Sequence, residues 1–236
     1  YHIKCLTWIS LSMLVMVLLI TSRQYWLEED PFINETNIFS TTEIEERQLQ
    51  EFIKVSEILP NCGIQRECPE NSIPVHVYTG QDKNDQPKLC IQGKYVIGGN
   101  MNGGGRGLNA AIVDSTHFQV VAVQNFDLYS QNSSSLEYWL AHQVLDNDII
   151  IAFTFDEASK ELSKKAKTSL YKLGSGKIQD LQFRSQWYMI SQKGINGFTS
   201  LENLTYAKND QWGDVIDEHL CVPRHIPPQV VTPDPN

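Results

Sequence analysis

The sequence predicts an α+β domain with sheets partly covered by helices, and three observations predict it. Runs of β-branched and aromatic residues recur at strand length, two segments with helical spacing lie among them, and four cysteines are spread through the same stretch. The domain so defined spans 61–224, and a length of about 160 residues suits one core.

Ahead of it, residues 5–20 form an apolar run without a charge, preceded by Lys4. Its length falls between a signal-peptide core and a spanning helix of ~20 residues, and no clean small-x-small cleavage site follows. Residues 1–22 are therefore expected to be a signal peptide or a signal anchor. The uncleaved type II anchor is preferred, with Lys4 cytoplasmic and the rest of the chain lumenal. Residues 23–60 are acidic and read as a stalk, in which Ile44, Leu49, Phe52, Ile53 and Ile58 repeat at helical spacing. Residues 225–236 form a proline-rich tail or linker.

Within the domain, strand-like runs are expected at 75–78, 88–91 and 94–97, and longer ones at 107–113, 118–123, 149–155 and 186–190. A first helix is announced by Ser134-Ser-Leu-Glu137, a capping-box pattern, after which Leu136, Leu140 and Val144 fall on one face. A second is expected over about 157–173, with Asp156 as N-cap and Leu162, Ala166, Leu170 and Leu173 as its apolar face. Lys164, Lys165, Lys167 and Lys172 would complement its C-terminal dipole, and Gly174 would supply a left-handed cap.

Cys62, Cys68, Cys90 and Cys221 make an even set behind a targeting segment, which reads as two disulfides in an oxidising compartment; Cys5 lies apart, inside the apolar run. Three pairings are open by spacing. No CxxC is present, so a zinc site built on these thiols is disfavoured and no metal or other cofactor is expected. Sequons at Asn34, Asn132 and Asn203 agree with a lumenal or secreted body. With 19 Lys plus Arg against 28 Asp plus Glu, the chain carries a net charge of −9 and no basic stripe, which argues against nucleic acid as a partner.

Other signals carry less. The glycine-rich stretch 98–107 lacks a following Gly-Lys-Ser/Thr and leads into a strand, so it reads as a loop and not as a phosphate cradle. Asp146-Asn-Asp148 has a DxD form but sits where a turn is needed. His76, His117, His142, His219 and His225 show no ligand spacing along the chain, and no nucleophile elbow is present. Trp139, Trp187 and Trp212 read first as core aromatics. Nothing here points to catalysis, and the chain is expected not to be an enzyme.

An ordered set of short motifs then adds a resemblance. Cys62-Gly-Ile-Gln-Arg-Glu-Cys-Pro69, Pro87-Lys-Leu-Cys90, Gly105-Arg-Gly-Leu-Asn-Ala-Ala-Ile-Val113, Phe126-Asp-Leu-Tyr129 and Phe155-Asp-Glu-Ala-Ser159 are followed by Leu173-Gly-Ser175, Phe183-Arg-Ser-Gln-Trp187, Lys193-Gly194 and Cys221-Val-Pro223. Together they make residues 61–223 resemble the ILEI/PANDER, or GG-domain, family of cytokine-like secreted proteins. The resemblance implies a compact β-β-α globule with Cys62 bonded to Cys90 and Cys68 to Cys221. Where the family's interleukin-like EMT inducer carries a further cysteine, this chain has Trp187-Tyr-Met-Ile190, so a dimer linked through that cysteine is not expected.

The same domain type is similar to the stem of protein O-mannose N-acetylglucosaminyltransferase, a Golgi enzyme whose stem binds sugars. That resemblance implies carbohydrate contacts at Arg106, Asp156, Arg184 and, more weakly, Trp187. Carboxylates and guanidinium groups can grip vicinal hydroxyls, and an aromatic face can cover a pyranose. The same three charges can instead form an ion-pair network that holds strand ends together. The expected function is a non-enzymatic lumenal or extracellular cytokine-like signal. Its partner would be a cell-surface receptor or a glycan of N-acetylhexosamine type. The alternative is the sugar-binding stem of a Golgi transferase, whose catalytic domain would follow Asn236.

Overall fold

The computed structural model describes residues 60–98, 104–208 and 211–229. The apolar run at the N-terminus, the stalk up to residue 59, Asn34, residues 99–103 of the glycine-rich loop and residues 230–236 of the tail lie outside the described residues. Among the described residues no helix is long and apolar enough to cross a membrane.

The α+β class fits a chain that is mostly sheet. Two antiparallel sheets carry it, with two short helices packed on the larger one and two disulfides pinning the fold. The smaller sheet contains β1 (Ser72–Tyr78), β2 (Lys88–Ile91), β3 (Lys94–Ile97) and β9 (Asp217–Pro223), in the order β3-β2-β1-β9. The larger contains β4 (Gly107–Asp114), β5 (Gln119–Phe126), β6 (Ile149–Phe155), β7 (Gln186–Gln192) and β8 (Glu202–Thr205), in the order β5-β4-β6-β7-β8. The helices are α1 (Ser134–His142) and α2 (Lys164–Lys172).

Every residue of β6 and β7 is buried, which is why β6 reads as a nearly continuous apolar run; in β7 the buried Gln186, Ser191 and Gln192 are the polar exceptions. Along β4, β6 and β7 the side chains alternate between two cores. Leu108, Ala110, Ile112, Ile150, Ala152, Trp187 and Met189 pack with Leu136, Leu140, Ala166 and Leu170 of the helices. Ala111, Val113, Ile149, Ile151, Phe153, Tyr188 and Ile190 pack instead with Val75, Val77, Leu89, Ile91, Ile97 and Val222 of the small sheet. The period of two along each strand thus serves two apolar layers at once.

Several local expectations are corrected. The N-cap of α1 is Ser133, not Ser134. Its hydroxyl donates to Glu137 Oε1 at 3.2 Å, while the Ser134 amide is satisfied by Asn132 Oδ1 at 3.1 Å. Glu137 also accepts from Ser163 Oγ at 2.6 Å and pairs with Lys165 at 3.0 Å, so the glutamate joins the starts of both helices. α2 begins at Lys164 and is capped by Ser163, whose hydroxyl accepts from Ala166 N; Asp156 is not its cap. Lys164 and Lys165 therefore lie in its first turn, and only Lys172 lies in its last. The apolar face was nonetheless read correctly, since Leu162, Ala166, Leu170 and Leu173 are buried, and Gly174 takes the left-handed cap at φ +100°.

β8 and β9 went unrecognised in the sequence. Both are edge strands whose residues are mostly half-buried or exposed, β8 being largely polar and β9 opening on Asp217-Glu-His219, so neither shows the apolar signal of a buried strand. β9 is held by seven residue pairs to β1 and by the Cys68–Cys221 disulfide, which closes a separation of 153 residues. The Cys62–Cys90 disulfide closes 28. These two pairings are the ones the family resemblance implies.

Candidate functional site

Sheet topology explains how residues 50 and 28 apart can share one place. β6 lies between β4 and β7 and runs antiparallel to both, so the start of β4, the end of β6 and the start of β7 fall at the same edge. Arg106 directly precedes β4, Asp156 directly follows β6, and Arg184 lies two residues before β7.

The backbone is unusual at each of these ends. Asp156 and Arg184 both take left-handed conformations, φ 59° and 55°, which cost a residue with a side chain of order 1 kcal/mol. Beside Arg106, Gly107 sits at φ +104°, where an added Cβ would lie 2.0 Å from the Phe126 carbonyl oxygen. This glycine lets β4 start tight against the end of β5.

Glu157 holds the other two turns and is the residue that sequence reasoning missed. It is 1% exposed. One carboxylate oxygen accepts from Ser159 N at 2.5 Å, Ser159 Oγ at 2.7 Å and Lys160 N at 2.7 Å; the other accepts from Arg184 N at 2.6 Å. By taking the donors of the turn after β6, it keeps residues 157–160 out of the helix expected there. The sole hint in sequence was an acidic pair, Asp156-Glu157, ending an apolar strand.

The charges divide unequally. Arg106 is gripped by Asp127 through two hydrogen bonds, Nε to Oδ1 at 2.9 Å and Nη2 to Oδ2 at 2.7 Å, with Ser130 Oγ on the same carboxylate at 2.6 Å. That guanidinium holds the Asp127 carboxyl well below the usual carboxylate range. Arg106 also lies 4.4 Å from the centre of the Tyr129 ring, which Lys160 approaches to 4.2 Å. Much of Arg106 is thereby committed to holding the turn after β5.

Arg184 Nε lies 3.7 Å from Asp156 Oδ1. Burial pushes the Asp156 carboxyl up, against the opposing pull of Arg184 and then Arg106. All three charges therefore share one neighbourhood. Trp187 does not join it: it is fully buried in the helix-side core, its indole Nε1 donating to Glu202 Oε1 at 2.8 Å, and it presents no face to a ligand.

Another tryptophan stands where Trp187 was expected to act. Arg184 lines an open cleft of about 710 Å³ together with Trp212, Gln81, Asp82, Gln211 and Asp214. Trp212 is half-buried, edge-on to Phe155 with ring centres 5.2 Å apart. The cleft thus combines a guanidinium, two exposed carboxylates, two amides and an indole, the groups that grip hydroxyls and cover an apolar sugar face.

The DxD candidate behaves as a turn. Asp148 accepts from Leu145 N at 2.8 Å and is 7% exposed, while Asp146 lies 3.5 Å from Lys193, so the two carboxylates serve separate tasks. Of the sequons, Asn132 is exposed before α1, and Asn203 is half-buried on the edge strand β8.

Comparison with known proteins matches this region. Residues 106–195 fit the family described as Interleukin-like EMT inducer. Protein FAM3D of Mus musculus is 27% identical over 170 residues, covering 70% of this chain and 76% of its own. Protein FAM3C of Danio rerio is 27% identical over 167 residues, covering 69% and 73%. Protein FAM3C of Homo sapiens is 28% identical over 169 residues, covering 69% and 74%. The matched segment contains Arg106, Asp156, Glu157 and Arg184 and ends before Trp212.

Proposed function

We propose that this chain is a non-enzymatic, cytokine-like protein of the secretory pathway or extracellular space, because residues 106–195 match the interleukin-like EMT inducer family model and the chain is similar to proteins FAM3D and FAM3C. The observation that carries this reading is the family match over 106–195. Two disulfides that close loops of very different length support it, since such bonds persist in oxidising compartments. The partner would be a cell-surface receptor.

Expression in animal cells tests this reading. The product is expected in the medium or on the lumenal side of secretory membranes, with added mass that an N-glycanase removes, Asn132 being an exposed acceptor. Labelled protein should bind intact cells saturably and be displaced by unlabelled protein. A cytosolic, unglycosylated product, or cell binding that never saturates, refutes it.

The Arg184 cleft supports a second reading, that the receptor is recognised partly through its glycan. Arg184 would donate to sugar hydroxyls and Trp212 would cover an apolar face, taking the part that the sequence resemblance gave to Trp187. An open cleft of this kind is expected to bind a single N-acetylhexosamine with a Kd near ~1 mM, or ~4 kcal/mol. In an NMR titration of the full chain, amides near 184 and 211–215 should shift with sugar. Arg184→Ala and Trp212→Ala should each weaken the response several-fold, while Arg106→Ala should lower stability more than binding. Unchanged spectra at tens of millimolar sugar sink this reading and leave the first intact.

A further inference from the structure

We propose that His76, His219 and Asp217 form a binding site for a divalent cation of the zinc class, built across the β1–β9 strand pair. Chain spacing conceals it, because His76 and His219 are brought opposite one another by strand register. Val75 and Val77 face the inner core, so His76 and its partner His219 lie on the outer face of the small sheet, with Asp217 two residues from His219 on that face.

The donor atoms already converge. His76 Nε2 is 2.7 Å and His219 Nε2 is 3.6 Å from Asp217 Oδ1, and the three groups can bring one ligand atom each within 4.8 Å of the others. Ligand atoms around tetrahedral zinc stand about 3.3 Å apart, given metal–ligand bonds near 2.0–2.1 Å. The observed distances bracket that value. The rings are stacked, 3.9 Å between centres and 4° from parallel, so a shared cation requires the more exposed His219 ring to tilt.

Hydrogen bonds to the backbone orient the ligating atoms. The Nδ1 of His219 lies 2.7 Å from the Cys62 carbonyl oxygen, which can only accept, so this nitrogen donates and Nε2 is the ring atom left to face a metal ion. His76 is 7% exposed, and its Nδ1 is buried without a hydrogen-bond partner. Its Nε2 is hydrogen-bonded to Asp217 Oδ1 at 2.7 Å, and a bound cation would displace the proton shared by that pair. Lys88 opposes a cation, which places the expected affinity in the micromolar range.

The surroundings are rigid. His76 is paired on its other side with Cys90, whose disulfide partner Cys62 supplies the carbonyl that orients His219. Cys221, two residues beyond His219, is tied to Cys68. Three protein ligands leave a position open toward solvent, where the side chains of Asp217 and His219 are 53% and 38% exposed.

The test uses the full chain, free of any polyhistidine tag and stripped with chelator. Calorimetric titration with zinc chloride at about pH 7.5 should show one ion per chain with a Kd on the order of 10 µM. Zinc should also raise the unfolding temperature, and binding should weaken as the pH falls, because protons compete with the ion for its ligands. His219→Ala and Asp217→Asn should each weaken binding at least about tenfold, since each removes one of three ligands, whereas His225→Ala should leave it unchanged. Both affected side chains are partly exposed, so these variants should fold and keep the wild-type circular dichroism even if His76→Ala does not. Absence of saturable binding up to millimolar zinc, or binding that survives both substitutions, overturns the proposal.

Discussion

Replacing Cys68 and Cys221 together by serine is expected to remove about 2–5 kcal/mol of stability, the range seen when a native bridge is lost from a secreted domain. The physical cause lies at the edge of the small sheet. β9 has one neighbouring strand, β1, and most of its residues are half-buried or exposed. Its pairing must therefore overcome the entropy of closing a loop of 153 residues with modest burial in return. Cutting the bridge returns that entropy to the unfolded chain. In the chain-entropy description, the Cys62–Cys90 bond, closing 28 residues, is worth ~1.5 kcal/mol less by loop length alone. Equilibrium denaturation of both double-serine variants measures the two losses. A drop below ~1 kcal/mol for the long-loop variant would show that β9 is held by its ladder and by Val222.

Glu157→Ala is expected to destabilise by ~3–4 kcal/mol, far more than Asp156→Ala at ~1 kcal/mol or less. The difference follows from what each carboxylate touches. Glu157 is buried and accepts from four donors, so removing it strands three backbone amides and a hydroxyl, only some of which water can reach. Asp156 is partly exposed and makes a 3.7 Å pair with Arg184. Glu157→Gln should fall between the two, since its amide would place donor against donor on one side. Denaturation gives the energies, and amide shifts at 156–160 and 183–185 report whether both left-handed turns relax. A Glu157→Ala loss within ~1 kcal/mol would mean that the turns hold themselves, contrary to the strain expected of left-handed Asp156 and Arg184.

These two residues also mark what could be read from the chain. The strands at 88–91, 94–97 and 149–155 were legible to the residue because each is a short apolar run between turn formers. The buried face of α2 was legible as well, but its start was not, since Ser163 and Asp156 are both good caps locally. The choice between them was made by Glu157, whose bond to the amide of Arg184 spans 27 residues. Likewise, Trp187 and Trp212 look alike in sequence. One lies inside the helix-side core and the other beside the cleft, because β7 is central and the segment before β9 is peripheral.

By itself, the sequence determined the α+β class, the family resemblance, the even set of four cysteines and the apolar faces of both helices. All rest on composition or on periodicities a few residues long, which local backbone geometry converts directly into structure. The tertiary structure alone decided that Glu157 anchors the turns, that Trp212 and not Trp187 borders the Arg184 cleft, and that His76 meets His219. Those are contacts between residues distant in the chain, set by strand order and register. Register is a collective outcome of how two sheets and two helices bury their apolar sides together, so no local pattern carries it.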